Sequence, residues 1–187
     1  FLIMSESQSD IQTVRFKAAG NLLAGTLSVP AGQGPYPVVV FVHGSGPSSW
    51  DSRGGFIPIF EEFVTRGVAC LSWDKPGVGE SSGSWMFQTF DDRANEVLDA
   101  IAFLKSRDDI DSSRIGMWGI SQAGWIMPKV CARTSDVAFV IAVSVPVGTI
   151  AEQDLFRISH TMPADGYIAD ETAMAMEAAQ LGRSLLE

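Results

Sequence analysis

The sequence predicts an α/β fold, a mostly parallel sheet with helices on both faces that is incomplete at its C-terminal end. Three observations carry this. Short apolar runs alternate with segments of helical spacing, which is the pattern of a parallel sheet buried on both sides. One run, Pro37-Val-Val-Val-Phe-Val-His43, breaks directly into the glycine-rich His43-Gly44-Ser45-Gly46-Pro47. Another, Ile115-Gly-Met-Trp118, enters Gly119-Ile120-Ser121-Gln122-Ala123-Gly124 and then a helical segment. A single serine is thereby held between small residues at a strand-to-helix junction.

Residues 11–17 and 22–29 read as two strands joined by a turn at Ala19-Gly20-Asn21, and 38–43 as a third strand. Residues 56–66 read as a helix, Val68 to Trp73 as the next buried strand, and the Gly-Ser-rich stretch 77–84 as a loop. From Thr89 onward Phe90, Ala94, Val97, Leu98, Ile101 and Leu104 share one helical face, with Asp91, Asp92, Glu96 and Asp99 elsewhere. Several of those acids fall near the helix N-terminus, where they suit the dipole. Ile115–Trp118 and Val137–Val143 are further apolar strands. Trp125 to Cys131 belongs to the helix that follows the serine, with Pro128 in its early turns, where proline is tolerated.

The serine turn is a nucleophile elbow, in which small residues two before and two after the serine let the backbone bend tightly and aim Oγ out of the sheet. Acyl transfer also needs fixed N–H donors, because the tetrahedral intermediate carries negative charge on the former carbonyl oxygen. The amides of Ser45, in the glycine-rich loop, and of Gln122, at the positive end of a helix, are the expected oxyanion hole, and Ser121 is the expected nucleophile. Read without that chemistry, the loop is an ordinary turn of glycine, serine and proline.

With these motifs in order, the chain resembles the α/β-hydrolase superfamily, in its esterase, dienelactone-hydrolase and prolyl-oligopeptidase-like branch. The resemblance covers nearly all of residues 11–150. It rests on Gly20-Asn-Leu-Leu-Ala-Gly-Thr-Leu27, the loop at 43–47, Trp73-Asp-Lys-Pro-Gly-Val-Gly-Glu-Ser81, Asp111-Ser-Ser-Arg-Ile-Gly116 and the elbow. Ala123 stands where the commonest elbow has glycine, and Pro76 where relatives often have arginine. The first is small enough to keep the turn, and the second bears on the shape of the loop beside the site.

Composition fits a globular core: 187 residues, 46% of them hydrophobic and 19% charged. Residues 1–149 are expected to form the hydrolase core and 150–187 a helical cap or lid. The net charge of −9 disfavours nucleic acid and anionic membranes as partners, and no apolar run is long enough to span a bilayer. Phe1-Leu2-Ile3 ahead of Met4 is too short for the apolar region of a signal peptide. Cys70 and Cys131 lack metal or redox spacing and read as buried free thiols, with a cytoplasmic location expected. The chemistry calls for no metal and no cofactor.

A serine nucleophile needs a histidine to take its proton and usually an acid to orient that histidine, in the order serine, acid, histidine for this fold. His43 precedes Ser121 and occupies the position whose implied work is holding the oxyanion loop. His160 follows it, with Asp136 and Asp154 between, but lies in Ile150–Met162, which reads as a cap helix. The histidine and acid are therefore expected beyond residue 187. Val137–Val143 would otherwise be a terminal strand, apolar on both faces with an unpaired edge, which compact proteins avoid. The sheet is expected to continue in residues beyond Glu187 or in a second chain.

Asp74 reads as a pin for the 74–84 loop rather than a catalytic acid. Trp50, Trp85 and Phe87 could line an acyl pocket or simply pack their loops. Met162, Met174 and Met176 suit an adaptable lid or plain helix packing. The expectation is a serine hydrolase that cleaves a small-molecule carboxylic ester through a Ser121 acyl-enzyme. The alternatives are a peptidase or acyltransferase on the same scaffold, or a non-catalytic binding module that kept the fold.

Overall fold

The computed structural model describes residues 9–184, so the Phe1-Leu2-Ile3 segment lies outside the described residues. Its strands are β1 (Asp10–Ala18), β2 (Asn21–Val29), β3 (Tyr36–Val42), β4 (Ala69–Trp73), β5 (Ile110–Ile120) and β6 (Val137–Val143). The helices are α1 (Ile57–Thr65), α2 (Phe90–Lys105), α3 (Ala123–Cys131), α4 (Ile150–Ala164) and α5 (Ala169–Ser184). The chain divides into two compact units after Val145.

In the first unit the strands form one sheet in the order β1-β2-β4-β3-β5-β6. The β1–β2 and β2–β4 pairs are antiparallel, and β4, β3, β5 and β6 run parallel. The β1–β2 turn takes positive φ at Ala19 and Gly20, the backbone that matches the twist of a two-residue hairpin. Alternation within the strands serves both faces. Val38, Val40, Leu71, Ile115 and Met117 join α2 and α3 in one core, while Val39, Phe41, Cys70 and Trp118 join Phe60 and Val64 of α1 in another. Phe41 packs at 4.4 Å from Phe60 and 5.0 Å from Trp118, centroid to centroid. Stacking of this kind adds to what burial alone contributes.

The elements follow the sequence expectations with two differences. β5 begins at Ile110, so Asp111–Arg114 belong to the strand through a register shift near Ile115, where 115–118 alone reads as apolar. Their side chains are polar because this stretch of β5 is largely exposed. Cys131 is exposed, whereas Cys70 is buried, so only one of the two thiols lies in the core. The helix face that carries Cys131 borders an open apolar groove with Val140, Ala142 and Val145.

β6 is the edge of the sheet, and Phe139, Val140 and Ile141 are 40%, 42% and 37% exposed. Phe139 lies over β5, where a Cβ on Gly116 would come 2.2 Å from its ring. In the second unit α4 and α5 pack on one another. Thr149 and Glu152 form a reciprocal capping box at the start of α4, and Gly166 (φ 91°) lies in the turn that follows it. Met162 and Met176 are half-buried and Met174 is exposed. Among the described residues no helix is long and apolar enough to cross a membrane, and no cluster of histidine, cysteine and carboxylate side chains could hold a metal ion.

Candidate active site

Ser121 sits between β5 and α3 with φ 53°, in the left-handed region that a non-glycine residue enters only under constraint. The constraint is visible on both sides. The Ser121 N–H donates to Val143 O at 3.1 Å, and Gly124 N–H donates to Ser121 O at 2.9 Å. A Cβ on Gly119 would fall 2.6 Å from Ala123 Cβ and 2.7 Å from Met127 Sδ, so the position two before the serine has no room for a side chain. Ala123 itself is fully buried. Its methyl fits where the commonest elbow carries glycine. Ser121 is exposed, and its Oγ meets no hydrogen-bond partner among the described residues.

The His43–Pro47 loop, at the C-terminal end of β3, lies against this elbow: a Cβ on Gly44 would come 3.5 Å from both Ile120 O and Ser121 Cβ. Neither the Ser45 nor the Gln122 amide has an acceptor among the described residues. The structure thus brings together the three residues singled out in the sequence. Two clefts border the loop. One, of about 180 Å³, is lined by Gly46, Lys75, Trp85, Phe90, Arg93 and Gln122. The other, of about 280 Å³, is lined by Gly44, Ser45, Ser52, Arg53 and Ile120.

Below the loop lies a charged cluster that the sequence does not announce. Lys75, Arg93 and Glu96 are 2%, 7% and 1% exposed. Lys75 Nζ donates to Gly44 O and, at 2.7 Å, to Gly46 O. Arg93 donates to Gly44 O at 3.2 Å, His43 O at 3.0 Å and Gln122 Oε1 at 2.6 Å. Glu96 accepts from Gln88 Nε2. Burial pulls the Lys75 ammonium down to about 7, with the Arg93 charge adding to the fall and Glu96 opposing it. Burial likewise pushes the Glu96 carboxyl upward, against the pull of Gln88 and Arg93. In the sequence Glu96 reads as a solvent-facing acid of α2. The structure instead buries it, because Arg93, Glu96, Val97, Ala100 and Leu104 form one stripe toward the sheet. That spacing was the available signal, since charged members are ordinarily assigned to the wet face.

His43 is 1% exposed and held away from proton traffic. Ser72 Oγ donates its one proton to Trp50 O at 2.6 Å, so at 3.2 Å it accepts from His43 Nε2, which assigns the proton to that nitrogen. Burial holds the His43 pKa well below its ordinary value, and the charges of Arg93 and Lys75 depress it further. His160 is exposed, stacks on Phe156 at 3.9 Å, and meets Ser159 Oγ and Phe156 O through Nδ1. Asp136 is occupied by Lys105 and Thr134, and Asp154 by Arg157.

Asp74 accepts from Trp50 N–H at 2.8 Å and stands where a Cβ on Gly79 would come within 2.1 Å of its Oδ2. Its carboxylate thus ties the 48–50 loop to the turn at 79. Pro76 is buried and its carbonyl accepts from Trp85 N–H at 2.8 Å, which carries Trp85 to the smaller cleft. Trp50 packs instead beside Phe60, 6.0 Å away, and Phe87 is 85% exposed.

A parallel-centred sheet flanked by helices, with a strained serine leaving its fifth strand and a glycine loop against it, is the architecture of an α/β hydrolase. The chain belongs to the X-Pro dipeptidyl-peptidase (S15) family, whose model matches residues 19–185. It is 30% identical over 118 residues to the esterase EstD of Thermotoga maritima, which is 61% of this chain and 28% of that one. Among solved structures it is similar to the esterase Pf2001 of Pyrococcus furiosus, with TM-score 0.68, 18% identity, and coverage of 93% of this chain and 62% of that one. It is also similar to the α/β hydrolase GrgF of a Penicillium species, with TM-score 0.66, 22% identity, and coverage of 83% and 54%. The chain spans about a quarter of EstD and a little over half of the two solved structures.

Proposed function

We propose that this chain is the nucleophile-bearing part of a serine hydrolase that cleaves a small-molecule carboxylic ester or similar acyl substrate. The observation that carries the reading is an exposed Ser121 held at φ 53° beside two backbone amides that have no acceptor among the described residues. Ser121 Oγ attacks the acyl carbon as its proton passes to a histidine, and the carbonyl oxygen becomes an oxyanion facing the Ser45 and Gln122 amides. The ester C–O bond then breaks, the alcohol leaves with the histidine's proton, and water releases the acid from the acyl-enzyme. The clefts beside the loop suit an acyl group and a leaving group.

The histidine and its acid belong, on this reading, to residues beyond Glu187 or to a second chain that continues the sheet past β6. The half-exposed Phe139, Val140 and Ile141 on that edge support it. Residues 1–149 then form the hydrolase core and 150–187 its helical cap. The two thiols, neither in a disulfide, suit a cytoplasmic protein.

Intact mass of the natively expressed protein after treatment with a fluorophosphonate tests this. An adduct that maps to Ser121 and disappears in Ser121→Ala is the expected result. An unmodified mass, with no hydrolysis of p-nitrophenyl esters, overturns it in favour of a binding module that retains the fold.

A further inference from the structure

A buried cation is costly unless its N–H groups find acceptors, so the acceptors that Lys75 and Arg93 choose are informative. Both choose the backbone of one loop. The carbonyls of His43, Gly44 and Gly46 all turn inward to these two side chains, and the Gly44 carbonyl takes both. In a trans peptide C=O and N–H point in opposite directions. A Gly44 carbonyl drawn inward therefore turns the Ser45 N–H of the same peptide outward, away from these two side chains, and Gly44 itself lies against Ser121. Arg93 reaches further and holds the Gln122 side chain, so one guanidinium ties the Gly44–Ser45 peptide to the residue after Ser121.

We infer that Lys75 and Arg93 are positioning residues of the oxyanion hole, which orient the Gly44–Ser45 peptide and the Gln122 turn and place positive charge behind both donors. The inference rests on the Ser121 reading above. Two hydrogen bonds onto the Gly44 carbonyl polarise its peptide and strengthen the Ser45 N–H as a donor. With Lys75 protonated and Glu96 ionised the trio carries one surplus positive charge, so this charge term is largest below the Lys75 pKa of about 7. The oxyanion of the tetrahedral intermediate supplies the matching negative charge. The neutral substrate does not. The stabilisation is thus concentrated in the transition state, where it raises kcat rather than ground-state binding. Neither cation touches the reacting atoms in this scheme.

The test uses the full-length protein and p-nitrophenyl butyrate, with rates expressed per active site titrated to completion by fluorophosphonate, so that unfolded protein drops out. Lys75→Met and Arg93→Gln should each lower kcat about tenfold or more with KM nearly unchanged. The inhibition constant of a phenylboronic acid, whose serine adduct is a tetrahedral anion, should rise in step. Arg93→Lys keeps the charge and part of the donor set, and should fall between wild type and Arg93→Gln. It also carries the comparison if Arg93→Gln does not fold. Wild-type kcat in the variants, or a loss confined to KM with boronate affinity unmoved, overturns the inference alone. A wild-type protein that is neither labelled at Ser121 nor hydrolytic overturns the Ser121 reading, and the inference falls with it.

Discussion

The Arg93 guanidinium donates to the Gln122 side-chain oxygen at 2.6 Å, joining the first turns of α2 to the residue after the elbow serine. The contact is one of several between these helices. Phe90 stacks on Trp125 at 5.5 Å and Lys129 meets Asp91 at 3.0 Å. The last pair is exposed and contributes little. The ring stack and the buried guanidinium tie α2 to α3, and through Arg93 to the His43 and Gly44 carbonyls as well.

Replacing Ser121 separates strain from chemistry. Ser121→Ala should lower kcat at least about a thousandfold while leaving stability within about 0.5 kcal/mol. Ser121→Gly should be equally inactive yet about 1 kcal/mol more stable than Ser121→Ala, because glycine enters φ 53° without a Cβ penalty. Urea denaturation of the two variants reads the difference, and equal midpoints would show that the left-handed backbone stores no strain.

Gly119 is limited by space. Gly119→Val would drive side-chain atoms into Ala123 and Met127, already 2.6 and 2.7 Å from an added Cβ. Overpacking should cost about 1–3 kcal/mol and displace Ser121, with kcat falling more than KM changes. A variant of wild-type stability and rate would contradict this crowding.

Thr89 caps α2, accepting from Asp92 N–H at 3.1 Å while Asp92 accepts from Thr89 N–H at 2.8 Å. Thr89→Ala should cost about 1 kcal/mol, or about 2–4 °C in Tm, without altering kcat. A large kcat loss at unchanged Tm would point to a direct role in the site.

Lys75 gives a pH signature. Its folded-state pKa, near 7, lies below the ordinary 10.5, so between those values the unfolded chain holds a proton that the folded chain has released. Stability from this group therefore rises with pH across that window and is lowest below it. Arg93, Glu96 and His43 are the charged and titratable neighbours, and Arg93 and Glu96 set the shift along with burial. Relative to Lys75→Met, wild type should gain stability from pH 6.5 to pH 9.5, as read by paired urea titrations. A difference independent of pH would mean that Lys75 titrates normally.

Much of this was legible in the chain itself. The alternation of Val38 to Val42, the Ala19-Gly20 turn and the small residues around Ser121 are local signals, because strand period, turn conformation and steric room at an elbow depend on near neighbours. Glu96, Arg93 and Cys131 were not legible. Arg93 lies buried because the fold brings the carbonyls of a loop some 50 residues earlier over the first turns of α2, and Glu96 is buried beside it, accepting from Gln88. Cys131 is exposed only because the groove between α3 and β6 is open.

By itself, then, the sequence determined the alternating α/β order, the strained serine and the glycine loop, through short-range patterning that needs no partner. The tertiary structure alone decided which charges are buried and which carbonyls they hold. Compensating a buried charge is a long-range matter, because a cation can leave water only where distant backbone groups have already converged to receive it.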